Sequence, residues 1–211
     1  MATRRGISSI AQRNLLVLVD LDETLAAFEK HFLKLYREKY PNEPFIPLEK
    51  RTTFHISDQY DRLNFTEDNM LNKIKQIYKD QYFFRDLPLI EGGCDAIKEM
   101  EEMEGVEVFL CTSPLFYYKY SAPEKFEWVE KHLGPSWINK LILTRDKTMI
   151  QGDVLIDDRV DIKGAIKDPS WEHVVFTSNS NTGIKLTDKR RLHNWTDGKW
   201  RELIEDMKKR L

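Results

Sequence analysis

The sequence predicts an α/β fold: a parallel sheet with helices on both faces and a small helical segment inserted after the first strand. Three observations carry this. Five short apolar runs, Leu15–Val19, Val106–Cys111, Leu141–Leu143, Val154–Ile156 and Val174–Phe176, are each bounded by polar or turn residues, as strands buried on both faces are. Helical patterns lie between most of them, and strands alternating with helices imply a parallel sheet. The alternation breaks once, between Leu25 and about Leu89, where the apolar spacing is helical throughout.

Within that interruption, Leu25, Phe28, Phe32, Leu35 and Tyr36 share one helical face, and Met70, Ile74, Ile77 and Tyr78 share another. Pro41, Pro44 and Pro47 mark the connection between them. The expected organisation is therefore a core of residues 1–24 and 90–211 with a cap, residues 25–89, over the end of the first strand. Further on, Gly92-Gly93 precede a helix carrying Cys94, Ile97, Met100 and Met103, and a second helix spans Pro123–Leu133. Trp200, Leu203, Ile204, Met207 and Leu211 have the spacing of an amphipathic C-terminal helix.

A chain of 211 residues suits one main domain plus an insertion, and 41% apolar residues suffice for a sizeable core. The 33 basic residues nearly cancel 35 acidic ones, leaving a formal charge of −2. That excludes the strongly basic footprint of a dedicated nucleic-acid binder and the high net charge of a disordered chain. The basic runs Lys189-Arg190-Arg191 and Lys208-Lys209-Arg210 are expected to be solvated helix ends, where cations suit the helix dipole. No apolar run approaches the roughly 18 residues of a membrane span. The N-terminal segment has no acid before Asp20 and no apolar signal region; an ordinary tail is expected, a mitochondrial presequence being the alternative. Cys94 and Cys111 lack CxxC spacing and are expected to be reduced thiols in the core.

The chemistry-bearing residues gather just past the apolar runs. Asp20-Leu21-Asp22-Glu23-Thr24 follows the first, Thr112-Ser113-Pro114 the second, Thr144-Arg145-Asp146-Lys147 the third and Asp157-Asp158-Arg159 the fourth. Ligands of open α/β sheets bind outside the carboxyl ends of the strands, so carboxylates, hydroxyls and an ammonium meet at one sheet edge. Crowded carboxylates repel unless a hard cation neutralises them, and Mg²⁺ prefers such oxygens while leaving room for water and phosphate. Two aspartates spaced by one residue allow one to attack phosphorus while the other protonates the leaving oxygen. Lys147, Thr112 and Ser113 are placed to hold phosphate oxygens. These residues point to phosphoryl transfer.

The same residues resemble the haloacid dehalogenase-like (HAD) phosphatase superfamily, with its Rossmann-like core, and the cap position resembles its C1 type. A narrower resemblance, to the 5′(3′)-deoxyribonucleotidases of cytosol and mitochondria, runs through Asp20–Phe28, Pro44–Glu49, Ser57–Tyr60, Cys111–Pro114, Glu127–Lys131, Leu143–Thr148, Leu155–Arg159, Ser170–Val174 and Arg191–Trp195. It implies Asp20 as nucleophile and Asp22 as general acid and later base. It implies Mg²⁺ on the Asp20 carboxylate, the Asp22 carbonyl and Asp158, with Asp157 second, and phosphate on Thr112, Ser113 and Lys147. Asp22, Phe28, Phe54, His55, Ile56 and Tyr78 would form the substrate pocket for a nucleoside monophosphate such as dUMP or dTMP. It further implies a homodimer in the cytoplasm or mitochondrion, with neither a nucleic-acid nor a membrane partner. Glu23-Thr24 stand where family members usually carry Gly-Val, Ala27 where an Asp is common and His55 where an aromatic is common. These departures bear on base and sugar selection and leave the phosphate chemistry intact.

Two other readings use the same residues. One keeps the chemistry on a different small phosphomonoester, such as a sugar phosphate. The other is a receiver-like phosphoacceptor module, which is disfavoured because Asp22 lies two residues from Asp20, placed to hydrolyse an acyl phosphate, and because a cap intervenes.

Overall fold

The computed structural model describes residues 13–62 and 68–211; the expectations for residues 1–12 lie outside the described residues. β1 (Leu15–Val19), β2 (Val106–Thr112), β3 (Leu141–Leu143), β4 (Val154–Asp157), β5 (Glu172–Phe176) and β6 (Arg190–Leu192) form one parallel sheet in the order β3-β2-β1-β4-β5-β6. The order reverses between β1 and β4, which is where such sheets open a crevice for ligands. Register sets what lines that crevice. Val19 lies opposite Leu110 on one side and Ile156 on the other, so Asp20, Cys111 and Asp157 arrive level at the carboxyl edge.

Helices α4 (Gly93–Glu101), α5 (Tyr118–Leu133) and α6 (Lys199–Lys208) contribute Ile97, Met100, Trp128, Val129, Trp200 and Ile204 to one core cluster with Val17, Val19, Leu110 and Ile156. The opposite sheet face is different. Leu18, Cys111 and Leu155 pack there with Trp171, Ile150 and Ile162, none of them helical. Right-handed crossovers running in opposite directions fall on opposite faces of a sheet. Those from β1 to β2 and β2 to β3 carry helices, while those from β3 to β4 and β4 to β5 carry none longer than a single 3₁₀ turn. The helix layer expected on both faces is therefore replaced by loops on one.

Between β1 and α4 the chain forms α1 (Phe28–Lys39), α2 (Ile56–Arg62) and α3 (Asp68–Lys79). Phe32, Tyr36, Tyr60, Met70, Ile74 and Ile77 are buried among them. Phe32 stacks on Tyr36 at 5.6 Å, and the Tyr60 hydroxyl accepts from the Ile46 N–H at 2.9 Å. The segment joins the sheet through two chain crossings that lie side by side. Ala26 bridges Leu89, the Ala27 N–H donates to the Pro88 carbonyl at 2.8 Å, and the Ile90 N–H donates to the Leu25 carbonyl at 2.8 Å. Two buried indoles grip the flanks of this junction: Trp195 donates to the Thr24 carbonyl at 2.8 Å and Trp128 to the Leu87 carbonyl at 2.9 Å. Gly92 makes the close turn into α4 at φ +74°, where a Cβ would meet Thr196 Cγ2 at 2.9 Å.

Several local expectations are corrected. Leu25 precedes α1, because the N–H groups of Leu25 and Ala26 both turn back to the Leu21 carbonyl. Helix α5 starts five residues before Pro123. Arg190 and Arg191 lie on the edge strand β6, not at a helix end: Arg190 pairs with Glu172 and Asp206, and Arg191 donates to Asn181 and to the Ile184 carbonyl. Leu211 lies beyond α6 and is exposed. Both cysteines are free and buried, as expected. No helix among the described residues is long and apolar enough to cross a membrane.

Trp128 fills the core and also holds the junction, so Trp128→Ala is expected to cost about 3–5 kcal/mol in urea unfolding. A loss below about 1 kcal/mol would show that the indole carries little of this packing.

Candidate active site

Each sequence-predicted residue owes its place to an element end. Asp20 follows β1 directly, and its N–H donates to the Ile156 carbonyl at 2.9 Å. The chain then curls through Leu21, with Glu23 in the left-handed region at φ +56°, so that Asp20 and Asp22 both face the crevice. Thr112 ends β2 and Asp157 ends β4, with Ser113 and Asp158 one step beyond. Lys147 opens a 3₁₀ turn after β3 that Asp146 caps by accepting from the Thr148 N–H at 3.0 Å.

Lys147 is the electrostatic centre. Its ammonium lies 2.8 Å from Asp20 Oδ1 and 2.6 Å from Asp157 Oδ2. Burial alone would lower its pKa, but the Asp157 and Asp20 carboxylates outweigh burial and hold it above the ordinary lysine value. Burial pushes the Asp20 carboxyl up, with Lys147 opposing and Asp157 adding to the rise. Burial also raises Asp22, against the pull of Lys125, whose ammonium sits 2.7 Å from Asp22 Oδ2. Asp158 is raised most clearly, by burial and then by Asp157 and Asp20. Oxygens of Asp20, Asp157 and Asp158 lie within 4.8 Å of one another. Asp158 has no ion-pair partner among the described residues, and three hard oxygens this close suit a divalent cation.

A cavity of about 450 Å³ opens onto these groups. It is lined by every sequence-predicted site residue: Asp20, Asp22, Thr112, Ser113, Lys147, Asp157 and Asp158 from the sheet side, and Phe28, Phe54, His55, Ile56 and Tyr78 from the helical segment. Phe28 packs edge-on against Phe83 at 5.1 Å, and Phe54 meets His55 edge-on at 5.0 Å while remaining 45% exposed. The Arg159 guanidinium lies 5.1 Å from the Phe54 ring, joining the β4 loop to the helical segment across the cavity mouth.

Several groups at the site were not read from the sequence. Lys125 is one; it lies on α5 one turn before Trp128 and Val129, so a lysine on the buried stripe of that helix was the available signal. A buried ion pair between Glu29 and Arg51, 3.0 Å apart, supports the wall from within, and Arg51 also donates to Gln59 at 2.8 Å. Asn181 donates to the Asp158 carbonyl at 2.7 Å and to the Phe176 carbonyl at 2.8 Å, which fixes the loop after β4. Glu23 caps α1 by accepting from the Glu29 N–H at 2.7 Å. Burial, with Glu29 adding, pushes the Glu23 carboxyl up to about 8.

A parallel sheet with acids, hydroxyls and a lysine at its carboxyl edge fits a hydrolase of the HAD type, and solved structures agree on the fold. A conserved haloacid dehalogenase-like protein from Agrobacterium tumefaciens str. C58 superposes with a TM-score of 0.59 at 14% identity, covering 91% of this chain and 98% of that one. A HAD-hydrolase from Bacillus subtilis bound to magnesium gives 0.55 at 13% identity, covering 92% and 99%. The sequence narrows the class. Residues 13–209 match the family of the 5′ nucleotidase, deoxy (Pyrimidine), cytosolic type C protein, and the chain belongs to that family. It is 43% identical over 201 residues to the mitochondrial 5′(3′)-deoxyribonucleotidase of Homo sapiens, covering 95% of this chain and 86% of that one. It is also 43% identical over 194 residues to the human cytosolic type, covering 92% and 94%.

Two outcomes follow from the electrostatics. Asp158, with its folded pKa raised, stabilises the metal-free fold at acid pH, and that contribution is lost as pH rises above the ordinary carboxylate range. Added divalent cation should therefore raise the melting temperature more at pH 8 than at pH 5. At about 100-fold excess over its dissociation constant it contributes about 2.7 kcal/mol, several degrees by scanning fluorimetry against an EDTA control. Glu23→Gln keeps the helix cap without the charge. Because the Glu23 contribution is lost as pH rises through about 8, the variant should gain melting temperature over wild type between about pH 5 and 8 and then level off. A constant difference across that range would remove the assignment.

Proposed function

We propose that the protein removes the phosphate of deoxynucleoside 5′- and 3′-monophosphates, dUMP and dTMP among them, through an aspartyl phosphate on Asp20. The observation that carries this reading is a single cavity in which Asp20, Asp22 and Lys147 face an aromatic wall, in a chain of the 5′(3′)-deoxyribonucleotidase family.

In this reading Thr112, Ser113 and Lys147 bind the equatorial phosphate oxygens and turn the phosphorus toward the Asp20 carboxylate. Asp20 attacks, and the ester oxygen departs with a proton from Asp22. Asp22 then takes a proton from water as that water attacks phosphorus, and inorganic phosphate leaves Asp20. A raised pKa suits Asp22 to carry that proton in the first step. The Asp20 and Asp158 carboxylates and the Asp22 carbonyl, with Asp157 behind them, would hold Mg²⁺, which when bound offsets phosphate and carboxylate charge. Phe28, Phe54 and Tyr78 offer flat faces to a base, with Ile56 filling the space between and His55 able to hydrogen-bond. Residues 25–89 act as the cap that selects the nucleoside, joined to the core of 1–24 and 90–211 at the Ala26–Leu89 crossing. Family likeness supports a homodimer that works in the cytoplasm, the mitochondrion being the alternative, on a small-molecule substrate without nucleic acid or membrane.

The test compares phosphate release from dUMP, dTMP, UMP and a sugar phosphate. Faster turnover of the deoxynucleotides is expected, and equal rates on all would replace the nucleotidase by a broad phosphomonoesterase. Asp20→Asn should lower kcat by at least about 10³-fold with the fold intact by circular dichroism.

A further inference from the structure

We propose that Lys125 is a positioning residue that assigns separate roles to the two Asp22 oxygens and directs the Thr112 hydroxyl. The inference rests on the phosphatase reading above and adds to it a residue from outside the strand ends. Lys125 projects from α5 and is 1% exposed. Its ammonium donates to Asp22 Oδ2 at 2.7 Å and to Thr112 Oγ1 at 3.2 Å, and the Phe84 ring lies 4.9 Å from Nζ. Asp22 Oδ1, by contrast, is buried and has no hydrogen-bond partner among the described residues.

A carboxyl group whose Oδ2 is held by an ammonium exchanges protons through Oδ1. As Asp20 bonds to phosphorus, the phosphorus–ester oxygen bond breaks. The ester oxygen keeps the electron pair and takes the proton from Asp22 Oδ1. In the second step the same Oδ1 takes a proton from the attacking water, and the bond between phosphorus and Asp20 breaks. Thr112 is directed by the same ammonium. Its oxygen accepts from Lys125, so its hydroxyl hydrogen is left to donate to a phosphate oxygen. A buried ammonium is costly to desolvate, and here its charge is spent on two groups of the reaction centre.

The experiment measures kcat/KM on dTMP, whose alkoxide leaving group needs a proton, and on p-nitrophenyl phosphate, whose leaving group departs without one. Lys125→Met should lower the dTMP value at least about tenfold more than the p-nitrophenyl phosphate value, since proton transfer to the leaving group is the step disturbed. Lys125→Arg should recover part of the dTMP loss. In an Asp22→Asn background Lys125→Met should cost no more on dTMP than it costs on p-nitrophenyl phosphate in the wild type, because only the Thr112 contact then remains to be lost. Equal losses on both substrates, or a rise in KM alone, would overturn the proposal in favour of a phosphate clamp or a packing role. If Lys125→Met fails to fold, Lys125→Gln gives the same comparison. Wild-type selectivity among dTMP, UMP and sugar phosphates tests the nucleotidase reading separately, and the preferred alkyl phosphate can stand in for dTMP in the leaving-group comparison.

Discussion

Carboxylates gathered at the ends of parallel strands repel one another, and a crevice that excludes water strengthens that repulsion. Asp20, Asp157 and Asp158 are all buried, with Asp22 close by. The arrangement persists because cations stand at fixed points around it. Lys147 lies between Asp20 and Asp157, and Lys125 holds Asp22 from the side of α5. Asp158 is left without such a partner among the described residues, and its oxygens lie close enough to those of Asp20 and Asp157 to suit a divalent cation. The 3₁₀ turn that aims Lys147, the register that levels Asp20 with Asp157 and the Asn181 contacts to the β4 loop all serve this balance.

The degree to which this could be read from sequence follows from burial. Strands β1 and β4 are buried over most of their length and read as apolar runs, whereas Glu107 interrupts β2 and Glu172 and His173 open β5. β6 is an edge strand built of two arginines and a leucine, in which Arg190 pairs with Glu172 and Asp206 while Arg191 donates to Asn181 and the Ile184 carbonyl. No periodicity in three residues could reveal that, and a run of cations invites a helix-end reading instead. The one-sided helix layer was equally hidden, because the loops that cover Leu18, Cys111 and Leu155 scatter Ile150, Ile162 and Trp171 among polar residues with no strand or helix run to mark them.

The site divides along the same line. Residues at strand ends were legible because an acid, hydroxyl or lysine directly after an apolar run has a defined destination. Lys125, Glu29 and Arg51 come from helices and a loop instead of strand ends, and only the fold brings each to its partner. The aromatic wall is intermediate. Phe28, Phe54 and Tyr78 carry no positional signal that separates a pocket from ordinary packing, and family resemblance was needed to group them. Their convergence on one cavity with the acids, and the Arg159–Phe54 contact across its mouth, are properties of the folded chain.

The paired crossing at Ala26 and Leu89 has an evolutionary reach. The polypeptide leaves and rejoins the sheet at neighbouring points that are already hydrogen-bonded to each other. Whatever is threaded between them can lengthen, shorten or change its helices without shifting any strand. The sheet edge that carries the acids and the wall that the helical segment adds to the cavity can then vary separately. Departures such as His55 fall on the inserted side of that seam, away from the strand ends that carry the acids.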